Sequence, residues 1–100
     1  MPLDSNVTRG LLSESTWSLL SYRLRLSPRE VEIVRGLLNE KSESGIGQEM
    51  GISPHTVHSH IKRLYRKLKV ASRGAAIARI FEEYLLLVRA QDREQKNAGE

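Results

Sequence analysis

His55, His58, Ser59, Lys62, Arg63, Arg66 and Lys69 fall on one side of a helix if the chain turns 100° per residue. Ammonium and guanidinium groups neutralise phosphates, and imidazole, hydroxyl and amine groups reach base edges, so these side chains have the chemistry for a polyanion. Val57, Ile61, Leu64, Tyr65 and Leu68 occupy the other side and draw an apolar stripe at steps of four and three. From Met50 to Phe81 there is no Asp or Glu, while Lys62, Arg63, Arg66, Lys67, Lys69, Arg73 and Arg79 give that window a local charge of +7. The whole chain is +4, so the remainder sums to −3. Charge gathered on one element is the electrostatic footprint expected of a nucleic-acid binder.

Such a helix must be started and aimed. Gly51 offers a tight turn, Ser53 a cap and Pro54 a first helical residue whose missing N–H is no loss. A short helix, a turn over 51–53 and a basic helix over 54–69 make a helix-turn-helix, whose second helix enters the DNA major groove.

The composition allows one small domain. At 100 residues, 39% hydrophobic and 28% charged, the chain can build a single modest core, and with 5% aromatics that core must be mainly aliphatic. Without cysteine it has no disulfide or thiolate metal ligand, which fits a reducing cytoplasm. No apolar run reaches membrane-spanning length, and no secretion signal is visible at the N-terminus.

Taken in order, residues 1–12 read as a flexible arm. Ser13 or Ser15 caps a helix within 13–25, with Trp17, Leu20 and Leu24 on one face. Ser27 and Glu30 have capping-box spacing around Pro28, and Ile33, Val34, Leu37 and Leu38 form the next core stripe. Ser42 caps a short helix over about 43–50, with Ile46 and Met50 facing inward. Gly47 there would let another helix backbone approach closely. Ser72 caps a last helix over 73–90, whose expected core stripe is Ile77, Phe81, Tyr84 and Val88. Leu85 and Leu87 widen that stripe, and Leu86 projects almost opposite Val88. A helix apolar nearly all round is expected to be enclosed on a second side, unless the N-terminal helix folds back over it. Residues 91–100 read as a polar, frayed tail.

Leu26-Ser27-Pro28-Arg29-Glu30-Val31-Glu32-Ile33-Val34, followed by Gly51-Ile52-Ser53, Thr56-Val57, His60, Lys67-Leu68 and Ser72-Arg73, resembles the LuxR-type (GerE/NarL) DNA-binding domain without a gap from Leu26 to about Phe81. The resemblance implies an all-α, four-helix helix-turn-helix domain, here with an extra N-terminal helix. It implies a transcriptional regulator that binds double-stranded promoter DNA in the bacterial cytoplasm, nucleoid-associated when bound, as a homodimer through its last helix. On that basis Phe81, Leu85, Leu86 and Val88 are the expected dimer contacts, and RNA polymerase is a candidate further partner. Positions matching His58, Ser59 and Lys62 reach base edges in the family. Those matching Thr56, Arg63, Arg66 and Lys67 lie near phosphates, and His55 is grouped with them. The chain departs from the family at Glu40, where relatives often have Gly. It departs at His58, where they often have Lys or Arg, and at Glu43-Ser44-Gly45-Ile46-Gly47, which replaces a usual Asn-Lys-Glu-Ile-Ala. Many relatives carry a receiver or ligand-binding domain ahead of this module. The 25 residues before Leu26 are too few for one, so the expectation is a free-standing regulator or a piece of a longer one.

Other functions are weighed on the same residues. His55, His58 and His60 suggest a metal, but His60 projects away from His58 and no carboxylate is expected nearby, so neither metal nor cofactor is expected. His60 borders the apolar stripe and reads as a half-buried histidine with a hydrogen-bond partner. No nucleophile–base set, phosphate-cradling glycine loop or buried acid pair appears, which argues against an enzyme. A sigma-factor-like promoter-reading domain shares the motif but belongs to longer chains. A helical module whose basic face meets an acidic protein is the alternative outside DNA binding, and steep salt dependence on DNA separates the two.

Overall fold

The computed structural model describes residues 12–98, so the arm expected over the first residues lies, apart from Leu12, outside the described part, as do the last two residues of the expected tail. Five helices follow one another: α1 Glu14–Leu24, α2 Pro28–Leu38, α3 Glu43–Met50, α4 Pro54–Leu68 and α5 Arg73–Ala98. Among the described residues all regular structure is helical.

Local chemistry accounts for the starts. Ser13, Ser27, Ser42 and Ser53 stand extended before their helices, and each accepts a backbone N–H three residues on. Ser72 does the same for α5, taking the Ala75 N–H at 3.1 Å. At Ser27 the capping box closes, because Glu30 Oε1 accepts the Ser27 N–H at 2.8 Å. The ends are less orthodox. Gly51 finishes α3 with φ 71, where a glycine costs nothing, but Arg25, Glu40 and Lys69 adopt the same left-handed backbone with side chains attached.

The core is aliphatic apart from Trp17. Leu20, Ile33, Val34, Leu37, Ile46, Val57, Leu64 and Ile80 are its largest fully buried members or nearly so. Each buried side chain of this size contributes about 1.5–3 kcal/mol. Arg35 lays its guanidinium 4.7 Å from the centre of the Trp17 ring while its Nη2 pairs with Glu14, which closes the outer side of α1 onto α2. The helix-turn-helix is held by backbone proximity. The Ile52 N–H donates to the Gly47 carbonyl at 2.9 Å, and a Cβ on Gly47 would sit 2.6 Å from the Ile52 carbonyl oxygen. The close approach read from Gly47 is therefore present, made by the turn.

The last helix differs from expectation in two ways. It continues to Ala98, past the expected end near residue 90. Its core face is Ala76, Ile80 and Glu83, with Leu87 packed alongside; of the expected Ile77, Phe81, Tyr84 and Val88, Tyr84 alone is packed against the core. The rotation has an electrostatic cause. Glu83 is only 8% exposed, yet Arg23 from α1 donates to it at 2.7 Å and Arg79 at 3.3 Å. A carboxylate so paired can be buried, and the apolar flank beside it is released to the surface. α1 does fold back on α5, but on this ion-paired side, leaving Phe81, Leu85 and Leu86 at 49%, 41% and 45% exposure.

The Arg23 hydrogen bond, with Arg79 behind it and burial opposing, holds the Glu83 carboxyl below its ordinary value of 4.5. A depressed folded-state value stabilises above the unfolded value and is lost as pH falls through the folded one. Glu83→Gln should therefore lower stability near neutrality by about 1–3 kcal/mol, and the gap to the parent should close below about pH 4. Chemical denaturation across that range checks it. Glu40→Gly, by relieving left-handed backbone at a side-chain-bearing residue, should raise the urea midpoint by the equivalent of about 0.5–1 kcal/mol.

Candidate nucleic-acid interface

α4 supplies the face. Val57, Ile61, Leu64 and Leu68 are buried and fix its rotation, so the opposite side must meet solvent. His55, Thr56, His58, Lys62, Arg63, Arg66, Lys67 and Lys69 are all exposed, and Ser59 and His60 are half-buried. The half-buried His60 matches its expected place at the edge of the stripe.

Exposure alone does not make these groups equivalent. Lys67 donates to the Arg25 carbonyl at 2.8 Å and to Glu30 Oε1 at 2.6 Å. It thereby pins the end of α4 to the capping box of α2 and to the left-handed end of α1. Burial raises the Glu30 carboxyl, but hydrogen bonds from Lys67 and Ser27 outweigh it, so the group titrates below its ordinary range. Ser59 turns its hydroxyl back onto the His55 carbonyl at 3.3 Å. His58 leans toward α3, where its Nδ1 lies 2.7 Å from Glu43 Oε2. That carboxylate is nearer to the histidines than expected; it comes from a residue 15 positions back. Among the described residues no group of three or more His, Asp or Glu side chains is gathered as a metal site would need.

Two other cations of the acid-free window are also used internally. Arg73 caps the end of α2 by donating to the Lys41 and Leu37 carbonyls at 3.0 Å each, and Arg79 pairs with Glu83. Sequence reasoning counted both as part of the +7 footprint and gave neither a structural role. The arginine of the Ser72-Arg73 pair was the only available signal. Lys62, Arg63, Arg66 and Lys69 keep no side-chain partner among the described residues, and neither does the His55 ring. Beside them Tyr65 is half-buried, and burial pushes its phenol up. The uncommitted face thus runs from His55 through Ser59, Lys62 and Arg63 to Arg66 and Lys69.

On α5 the expected contacts separate. By helical rotation Ile77, Phe81, Tyr84, Leu85 and Val88 form one strip beside the core face. Leu86 points about 100° from Leu85 and further from Val88, on the other flank.

Lys67 and Arg66 make opposite predictions. Lys67→Ala should lower the melting temperature, since it strips the Arg25 carbonyl and Glu30 of a shared donor. Arg66→Ala should leave the melt unchanged and weaken binding to any DNA, with the salt slope about one unit shallower per protomer. Melting curves and salt-dependent anisotropy titrations of both variants check this.

A family model for bacterial regulatory proteins of the luxR family matches residues 24–80. Comparison with curated proteins gives no match, and neither does comparison with solved structures.

Proposed function

Because this chain belongs to the luxR family of bacterial regulatory proteins, and so to the DNA-binding helix-turn-helix regulators of transcription, we propose that α4 is its recognition helix and reads promoter DNA from the major groove. The observation that carries this reading is the division of cations on α4. Lys62, Arg63, Arg66 and Lys69 are exposed and uncommitted, whereas Lys67 is spent on the fold. In this reading Lys62, His58 and Ser59 approach base edges, with Arg63, Arg66, Thr56 and His55 against phosphates. Ser59 must give up its bond to the His55 carbonyl, which at 3.3 Å is weak. Lys67 reaches phosphate only at the expense of Glu30 and is better assigned to holding the helix. No helix among the described residues is long and apolar enough to cross a membrane, which is consistent with action on DNA in the cytoplasm.

The protein acts as a homodimer in the same proposal. The Ile77–Phe81–Tyr84–Leu85–Val88 strip supports it, since an apolar ribbon flanking the core side is what a twofold helix pair buries. Leu86 lies outside that ribbon. The dimer sets two α4 helices in successive major grooves, about one turn of DNA apart. RNA polymerase would be met only by surfaces left free on DNA.

Selection from a random DNA pool should return paired half-sites. Lys62→Ala should cost about 1–3 kcal/mol on the selected site and much less on mixed sequence. Phe81→Glu should give monomers by analytical ultracentrifugation and weaken paired sites more than single ones. Leu86→Glu should leave the dimer intact. A parent protein that binds mixed and selected DNA equally, or stays monomeric on DNA, would overturn the proposal.

A further inference from the structure

Among the described residues the acidic side chain that pairs with the exposed side of α4 near its start is Glu43, and it comes from the first turn of α3. Its partner is His58, a residue placed to read a base. The contact is specific in atom. Glu43 Oε2 lies 2.7 Å from Nδ1, with both side chains a little under half exposed. An ionised carboxylate has no hydrogen to give, so the proton in this bond belongs to Nδ1. The other ring nitrogen, Nε2, is left as the atom that can meet DNA.

We propose that Glu43 is a specificity-determining positioning residue: by holding the Nδ1–H of His58 it fixes the ring's rotamer and tautomer, so that Nε2 alone reads the base. The inference rests on α4 being the recognition helix. With Nδ1–H engaged, the neutral ring presents Nε2 as an acceptor. In the major groove it then matches the amino group of cytosine or of adenine. The charged ring presents Nε2–H as a donor, which matches N7 and O6 of guanine. One residue thereby reads different bases in its neutral and its charged forms. Without Glu43 the ring can turn and offer either nitrogen in either tautomer, and the discrimination blurs.

The surroundings leave this switch to few groups. From α3 only Glu43 reaches His58, because Glu49 is paired with Lys41. On α4 itself His55 lies one turn before His58 and Lys62 one turn after. Tyr65, two turns on, shares that flank and feels both Glu43 and Arg73. From α2, Glu30 is committed to Lys67 nine residues along the helix. From α5, Arg73 is committed to the α2 carbonyls.

The test has two arms on the full chain. The first needs no DNA: nitrogen chemical shifts of the His58 ring. The neutral parent should carry its proton on Nδ1, and Glu43→Gln should show a mixture of tautomers or the Nε2–H form. A parent ring protonated on Nε2 overturns the proposal. The second is selection from a random DNA pool at about pH 6 and about pH 8, with parent, Glu43→Gln and His58→Ala. His58→Ala identifies the base position that His58 reads. There the parent should prefer guanine over cytosine at the lower pH and cytosine over guanine at the higher, by about fivefold or more each way, since adenine offers both a donor and an acceptor. Glu43→Gln should flatten that preference while the other positions keep theirs. Unchanged preference in Glu43→Gln overturns the role of Glu43 alone. A parent that selects no sequence at either pH overturns the DNA-reading function itself.

Discussion

One helix must be buried on one side and left densely cationic on the other, and the rest of the chain is arranged around that demand. Val57, Ile61, Leu64 and Leu68 contribute about 1.5–3 kcal/mol each when buried. Against them stand like-charge pairs one turn apart, such as Lys62–Arg66 and Arg63–Lys67, each costing a few tenths of a kcal/mol in water. Burial wins by a wide margin, so α4 can carry an acid-free face. The condition is that other helices cover the stripe completely. α3 meets it across the turn at Gly51, with Gly47 narrow enough for the Ile52 carbonyl. α2 and α5 close the remaining sides.

What was legible in the sequence is what is local. The five serine caps, the Ser27–Glu30 box and the buried stripes of α1, α2 and α4 are fixed by residues within a turn or two of each other. Their spacing therefore announces them. The misread face of α5 shows the limit. A periodicity argument counts Glu83 against burial, yet its acid is made tolerable by Arg23, 60 residues earlier. No local pattern records that pairing. Lys67 with Arg25 and Glu30, Arg73 with the Leu37 and Lys41 carbonyls, and His58 with Glu43 were hidden for the same reason. Family-level spacing put Lys67 in the phosphate set, because a cation on a basic helix looks the same whether or not a carbonyl awaits it.

The long-range pairs also decide how strong the nucleic-acid face is. The acid-free window suggests seven cations, but Lys67, Arg73 and Arg79 are each bound within the protein. Phosphate attraction scales with the counterions actually displaced. Four uncommitted cations per protomer therefore give a shallower salt dependence than the raw charge implies. In the proposed dimer two protomers together would restore it, with Phe81 and Leu85 of α5 exposed for the contact.

The few acids near α4 act at its two ends. Glu30 engages Lys67 in its last turn, and Glu43 engages His58 near its first. Nine residues at 1.5 Å per residue separate these anchors by about 13 Å, more than the roughly 8–10 Å over which salt screens exposed charges. The free cations Lys62, Arg63 and Arg66 fall between them and Lys69 just beyond, so most of the field that a phosphate meets comes from the middle of the helix. The ends are held by hydrogen bonds to neighbouring helices and contribute orientation. A helix fixed at both ends and charged at its centre can settle against a groove by its centre first. His58 is meanwhile held against Glu43 of the neighbouring helix.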